Sequence, residues 1–423
     1  MEQNKKWNSN LITNIYVGLS ALLISFFIVE VSARIFKFET IGTQEKYFDP
    51  EDRQHFKVPI NEKDPKLFWR LKANSIYGNI SINSKGFRGK EFSEEKIPLT
   101  LRIFTLGDSC TLGVGVGNDE TYASVLENTL NSNSHSPNKF EVINAGVAGY
   151  TSLQGLRFLK TEIVKYKPDL VIVQFGFNDY VYTGGTSDKY IPNKQSLPFI
   201  LDGMLGKSHF YRFVKRRLNH IVSGKTLYPP NRRVEIGDFQ QNMRGIITIA
   251  QEVGAKVILL TLPIRPDVPL VINPIPIPFI ENGKTYVEWL RPGFLDGKNY
   301  YKESDFNGPT SVLESAVQRY PSWALAHYFL AKKYESAGDK ASAEREYALA
   351  READTDRKVI RGYNAVIGEL ATETGTPLIE LVSIFESRKG EKFFGDERHT
   401  NAKANKLIAQ EIVKILKGHQ FIN

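Results

Sequence analysis

Five short apolar runs, separated by stretches of helical period, constrain this chain more than any other feature of its sequence. They are Arg102-Ile103-Phe104-Thr105-Leu106, Phe140-Glu141-Val142-Ile143-Asn144, Leu170-Val171-Ile172-Val173-Gln174-Phe175, Val257-Ile258-Leu259-Leu260-Thr261-Leu262 and Pro377-Leu378-Ile379-Glu380-Leu381. The third and fourth are apolar almost throughout, without the alternation of a strand that has one wet face. That is the pattern of parallel strands covered on both sides. Helical patterns fall between and after them, at Thr121 to Leu130, Leu153 to Tyr166, Phe239 to Val253 and Asn401 to Leu416. Strand-helix alternation of this kind predicts a three-layer αβα sandwich around a mainly parallel five-stranded sheet.

A chain of 423 residues has length for this core and for large additions to it. Its composition, 41% hydrophobic and 24% charged, is that of a globular protein. The net charge of +8 favours anionic surfaces. No nucleic-acid module is recognisable, and the basic cluster Lys215-Arg216-Arg217 is short, so no nucleic-acid partner is expected. The single cysteine, Cys110, excludes an intramolecular disulfide. The seven histidines show no metal-ligand spacing, and no metal or cofactor is expected.

From Leu11 to Val29 there is no charged residue. About 19 residues of helix reach about 28 Å, close to the hydrocarbon thickness of a bilayer. Residues 1–10 then read as a cytoplasmic tail and 11–30 as a transmembrane anchor, with the bulk of the chain outside the cytoplasm. Cleavage as a signal peptide after Val31-Ser32-Ala33 is the competing reading. Residues 38–100, polar and holding Pro59 and Pro65, read as a linker and a small N-terminal cap, with a strand-turn around Ile80-Ser81-Ile82-Asn83. The core occupies 101–264 and 355–418. Between them, 265–354 is an insertion. Its first part, with Pro266, Pro269, Pro274, Pro276 and Pro278, suits an extended loop. In its second part Leu330-Ala331, Tyr334, Ala343, Tyr347 and Ala350 fall at tetratricopeptide spacings, and a plain helical hairpin fits equally well. The insertion is placed to cover or extend a site on the core, or to meet a protein partner.

Chemistry-bearing residues gather after the strands. Gly107-Asp108-Ser109-Cys110-Thr111-Leu112-Gly113 follows the first strand, where an open parallel sheet binds its ligands. Asn144-Ala145-Gly146-Val147-Ala148-Gly149 follows the second, and a glycine there lets a backbone N–H approach a ligand. Gly176-Phe177-Asn178-Asp179 follows the third, and Asp396-Glu397-Arg398-His399 lies beyond the fifth. A serine hydroxyl needs a base, and imidazole titrates near neutral pH. Asp396, three residues before His399, is spaced to reach the ring N–H. Asp108 and Asp179 read as loop-holding residues, and Cys110 as packed inward.

As a set, these blocks resemble the SGNH (GDSL) hydrolase superfamily, over about Arg102 to Leu416 apart from the insertion. The resemblance implies the flavodoxin-like fold of that family. It implies Ser109 as nucleophile with His399 and Asp396 completing the triad. The oxyanion hole would be the Ser109 N–H, the Gly149 N–H and the Asn178 amide, with Gly146 as second choice for the glycine. The expected activity is hydrolysis of an ester or acylated glycan through an acyl-enzyme. An O-acyltransferase acting on an exported polysaccharide and a non-catalytic envelope assembly protein are the alternatives. An anchor followed by a serine block and helical repeats also looks like a subgroup of bacterial envelope proteins.

Overall fold

The structure, a computed structural model, describes residues 2–35, 59–132, 139–183, 187–190, 208–211, 214, 231–266, 268–269, 275–281, 284–290, 310–319, 321–388, 390–419 and 421. The Lys215-Arg216-Arg217 cluster, Pro274 and most of the linker at 38–58 lie outside the described residues. The chain divides into two compact units, residues 1–52 with 191–230, and 53–190 with 231–423.

In the first unit one helix runs from Glu2 to Ile35. It includes the stretch read as a tail and continues past the stretch read as an anchor. Among the described residues no helix is long and apolar enough to cross a membrane. The side chains of Leu11, Ile12, Ile15, Leu19, Leu22 and Leu23 lie outside that description. Near the helix end, the Glu30 carboxylate accepts hydrogen bonds from the Ser208 hydroxyl and from the N–H groups of His209 and Phe210.

The second unit is built on the expected sheet. Its strands are β1 (Thr100–Gly107), β2 (Lys139–Gly146), β3 (Leu170–Gln174), β4 (Lys256–Leu260) and β5 (Leu378–Ile379). They lie in the order β5-β4-β3-β1-β2 and every pairing is parallel. Chain progress reverses direction between β1 and β3, so this is the switch point beside which an open α/β sheet places ligands. Along one face, Ile103, Val142, Leu170, Ile172, Ile258 and Leu260 pack against the helices Tyr122–Asn131 and Ala402–Gly418. On the opposite face Phe104 meets Phe87 edge-on, and Phe87 stacks on Phe158 of the helix Ser152–Thr161. The helices Ile236–Glu252 and Thr355–Thr374 complete that layer through contacts such as Phe239 on Tyr363. The fifth strand is shorter than its apolar run, because the chain turns into a helix at Leu381.

One expectation needs correction, that of a wholly extended proline-rich loop. In the segment read as a linker and cap, strands Asn61–Asp64 and Phe68–Leu71 pair antiparallel, and Leu67, Trp69, Leu71 and Phe87 are buried. Lys66, Arg70 and Lys72 flank these apolar side chains, which conceals the inward face in an average of composition. The proline-rich loop is in part a hairpin, with Ile275–Glu281 antiparallel to Lys284–Leu290. Pro276 and Pro278 occupy alternate positions, so the intervening residues keep the N–H groups that an edge ribbon needs. In the helical part of the insertion, Ala324–Ser336 and Lys340–Ala353 pack against each other, and Leu313 with Leu330 centres a small apolar cluster.

Candidate active site

Gly107 ends β1 where no side chain fits, since a Cβ would lie 2.1 Å from the Thr111 hydroxyl and 2.6 Å from the Gln174 carbonyl oxygen. Asp108 then caps one helical turn, Ser109–Leu112, its carboxylate accepting the Cys110 N–H at 2.9 Å. Ser109 begins the turn and is partly exposed. Its backbone N–H finds no acceptor among the described residues. Gly113, at φ +86°, ends the turn in the left-handed region.

His399 arrives from a tight loop. Gly395 donates its N–H to the His399 carbonyl, and Asn401 caps the closing helix through the Ala404 N–H. The ring nitrogen Nε2 lies 2.8 Å from Ser109 Oγ, and Nδ1 lies 2.6 Å from Asp396 Oδ2. The other Asp396 oxygen accepts the N–H groups of Arg398 and His399 at 3.0 and 2.7 Å. Burial on its own would raise the Asp396 carboxyl. The hydrogen bonds and charge of His399 outweigh it and hold the group well below the usual carboxylate range. The three residues read from the sequence as a triad therefore lie in one hydrogen-bonded line.

The other two loops converge on the serine turn. Asn178 Nδ2 lies 3.2 Å from Asp108 Oδ2 and donates to the Tyr150 carbonyl at 3.0 Å, so it ties the β1 loop to the β2 loop. Gly149, at φ +78°, stands in the turn closed by the Tyr150 N–H on the Val147 carbonyl. Its own N–H meets no acceptor among the described residues. Gly146 is differently employed. Its N–H is taken by the Asn144 side chain, and a Cβ on it would strike the Leu112 nitrogen at 2.1 Å. Gly146 lets the serine turn pack onto β2, while Gly149 keeps an unused donor.

Cys110 is buried, its thiol facing the Arg398 carbonyl at 3.7 Å, and burial pushes its pKa well up. An uncharged, enclosed thiol is a poor nucleophile. Asp179 accepts the Ser152 N–H at 2.9 Å at the start of the helix Ser152–Thr161. Burial pushes its carboxyl up to about 7, against the hydrogen bonds from Ser152 that favour its charge. A carboxyl raised in the folded state stabilises the fold fully below its unfolded value, near pH 4, and that contribution is lost as pH rises through about 7. Asp179→Asn is therefore expected to flatten a decline in stability between about pH 4 and 7, read from thermal unfolding across that range.

Residues that the motifs did not single out also hold the site. Arg233 donates to the Gly149 carbonyl at 2.7 Å, to the Gln154 side chain at 2.9 Å and to Asp188 at 2.9 Å, and both members of this ion pair are buried. Arg88, also buried, donates to the carbonyls of Leu112, Gly113 and Val116 beneath the serine turn. Trp69 Nε1 donates to the Ala148 carbonyl at 3.1 Å. Only the tryptophan within a polar stretch offered a signal, and it is a faint one. Among the described residues no cluster of three or more His, Cys, Asp or Glu is placed to hold a metal ion.

Residues 105–292 match the GDSL-like lipase/acylhydrolase family. Esterase TesA of Pseudomonas aeruginosa is 29% identical over 77 residues, 18% of this chain and 37% of that protein. The match thus spans little more than a third of the curated relative's length. Among solved structures, TesA is 15% identical with a TM-score of 0.34, over 75% of this chain and 98% of its own. A catalytic mutant of Axe2, an acetylxylan esterase from Geobacillus stearothermophilus, is 13% identical with a TM-score of 0.36, over 74% and 93% of the two chains.

Proposed function

We infer, from a chain whose residues 105–292 belong to the GDSL-like lipase/acylhydrolase family, that this protein is a serine ester hydrolase. The observation that carries the reading is the line Ser109 Oγ, His399, Asp396, with contacts of 2.8 and 2.6 Å. Ser109 Oγ attacks the ester carbonyl carbon while His399 Nε2 accepts the hydroxyl proton. The Asp396 carboxylate, held in its charged form, fixes the ring orientation and balances the imidazolium. The tetrahedral oxyanion is received by the N–H groups of Ser109 and Gly149 and by the Asn178 amide. Of the two contacts that Asn178 makes, the longer one to Asp108 is the one a substrate oxygen would displace. Collapse breaks the C–O bond to the alcohol, which leaves with the proton from His399. Water then repeats the sequence on the acyl-enzyme and releases the acid.

Asn178→Ala is expected to lower kcat by about 10²–10³-fold, the usual cost of one oxyanion donor, with little change in KM. Steady-state kinetics on a short-chain aryl ester checks it.

The substrates we favour are esters of envelope carbohydrates or lipids, with residues 11–30 as a membrane anchor and the catalytic core outside the cytoplasm. The uncharged stretch from Leu11 to Val29 within one continuous helix supports the anchor, as do the exposed Ile24, Phe27 and Ile35. Transfer of the acyl group to a glycan hydroxyl uses the same acyl-enzyme, and the helical insertion would offer a protein partner a surface. Labelling with a fluorophosphonate tests the hydrolase reading. The wild type should be labelled and Ser109→Ala should not; equal labelling of both would remove Ser109 as nucleophile. Faster acyl-enzyme turnover on adding an acceptor glycan would favour transfer over hydrolysis.

A further inference from the structure

The esterase reading asks the Gly149 N–H to point at an oxyanion, yet glycine at φ +78° has no side chain to prevent its peptide from turning over. A peptide unit is planar, so the N–H of Gly149 and the carbonyl of Ala148 move as one body and point in opposite directions. Whatever grips that carbonyl aims that N–H. The grip is Trp69, whose Nε1–H donates to Ala148 O at 3.1 Å.

Trp69 is itself immobilised. Its side chain is fully buried and meets the Tyr150 ring edge-on, at 5.7 Å between centroids. The Tyr150 hydroxyl donates to the Trp69 carbonyl at 2.6 Å. The Arg233 guanidinium lies 5.7 Å from the centre of the indole and also donates to the Gly149 carbonyl. The peptide units on either side of the Gly149 Cα are therefore both tied by their oxygens, one to Trp69 and one to Arg233.

We propose that Trp69 is a positioning residue of the oxyanion hole, so that the N-terminal hairpin, outside the family-matched segment, completes the active site of the core. This rests on the esterase reading of Ser109 and Gly149. The hairpin strand Phe68–Leu71 places the indole under the β2 loop, and the burial of Trp69, Leu67 and Leu71 fixes it there. A helix or loop elsewhere in the fold has no such contact with the Ala148 carbonyl among the described residues.

The test is Trp69→Phe in the full chain, which keeps a buried ring and removes the N–H. With a p-nitrophenyl ester, kcat per fluorophosphonate-titrated serine is expected to fall about ten- to a hundredfold while KM stays within about twofold. Loss of folded protein alone would lower the titrated fraction and leave kcat per site unchanged. Hydrogen–deuterium exchange of the peptide containing residues 147–151 should be faster in the variant. Unchanged kcat per site in an enzyme whose turnover requires Ser109 would overturn the positioning role. Absence of Ser109-dependent turnover in the wild type would instead overturn the esterase reading. In that event the exchange measurement decides the coupling on its own: faster exchange at 147–151 upholds the grip of Trp69 on the Gly149 peptide, and identical exchange removes it.

Discussion

His399→Ala is expected to lower ester turnover by about 10⁴-fold or more, leaving the residual rate that binding and the oxyanion donors supply. The ring nitrogen 2.8 Å from Ser109 Oγ is the only imidazole in the described site, and Asp396, held well below the usual carboxylate range, is too weak a base to take the serine proton in its place. The same logic predicts strong non-additivity. A hydroxyl without a base and a base without a hydroxyl are equally idle, so Ser109→Ala combined with His399→Ala should be no slower than either alone. Kinetics of the two single variants and the double variant on one aryl ester check this. Multiplying effects would mean that the two side chains act separately. The fold should survive, since His399 contributes one ring at the rim of the sheet and the loop around it is closed by backbone bonds of Gly395 and Asn401.

Asp188→Ala is expected to be the most damaging single change to stability among those considered, about 3–5 kcal/mol, because it removes one partner of a buried ion pair. Both side chains of the Arg233–Asp188 pair are nearly inaccessible, at 6% and 0% exposure, so water cannot stand in for the lost carboxylate. Arg233 would keep its bonds to Gly149 and Gln154 but lose the carboxylate 2.9 Å from its guanidinium. Chemical denaturation of the wild type and the variant at one pH measures the effect. A loss below about 1 kcal/mol would mean that the pair is solvated in practice. A variant replacing both residues with apolar ones of similar size should recover part of the loss, because much of the penalty comes from burying one member of the pair without the other.

How much of this was legible in the sequence follows from the physics of each part. The five strands were readable because both faces of a parallel sheet are covered, which leaves apolar runs that no turn or surface helix imitates. That Ser109, His399, Asp396, Gly149 and Asn178 would gather at one edge was readable because each sits just beyond a strand or before a helix, where a switch point collects ligands. Packing distinguishes Gly149 from Gly146, since the N–H of Gly146 is already spent on the Asn144 side chain and that of Gly149 is not. Arg88, Asp188 and Arg233 were opaque for a different reason. A charged residue in an irregular stretch reads as solvated, and its burial depends on carbonyls and carboxylates brought from far along the chain. Trp69 was hidden by its polar neighbours, and the hairpin at 275–290 by prolines that usually break strands.

Ser109 and His399 are separated by 290 positions, with the whole insertion between them. On the serine-hydrolase reading, a nascent chain therefore carries its hydroxyl group long before it carries the imidazole that would activate it. Until the segment around residue 399 has been synthesised and the helix Ala402–Gly418 has seated against the sheet, the serine is an ordinary alcohol. On the same reading, products lacking the segment around residue 399 would keep the hydroxyl but not the base that activates it.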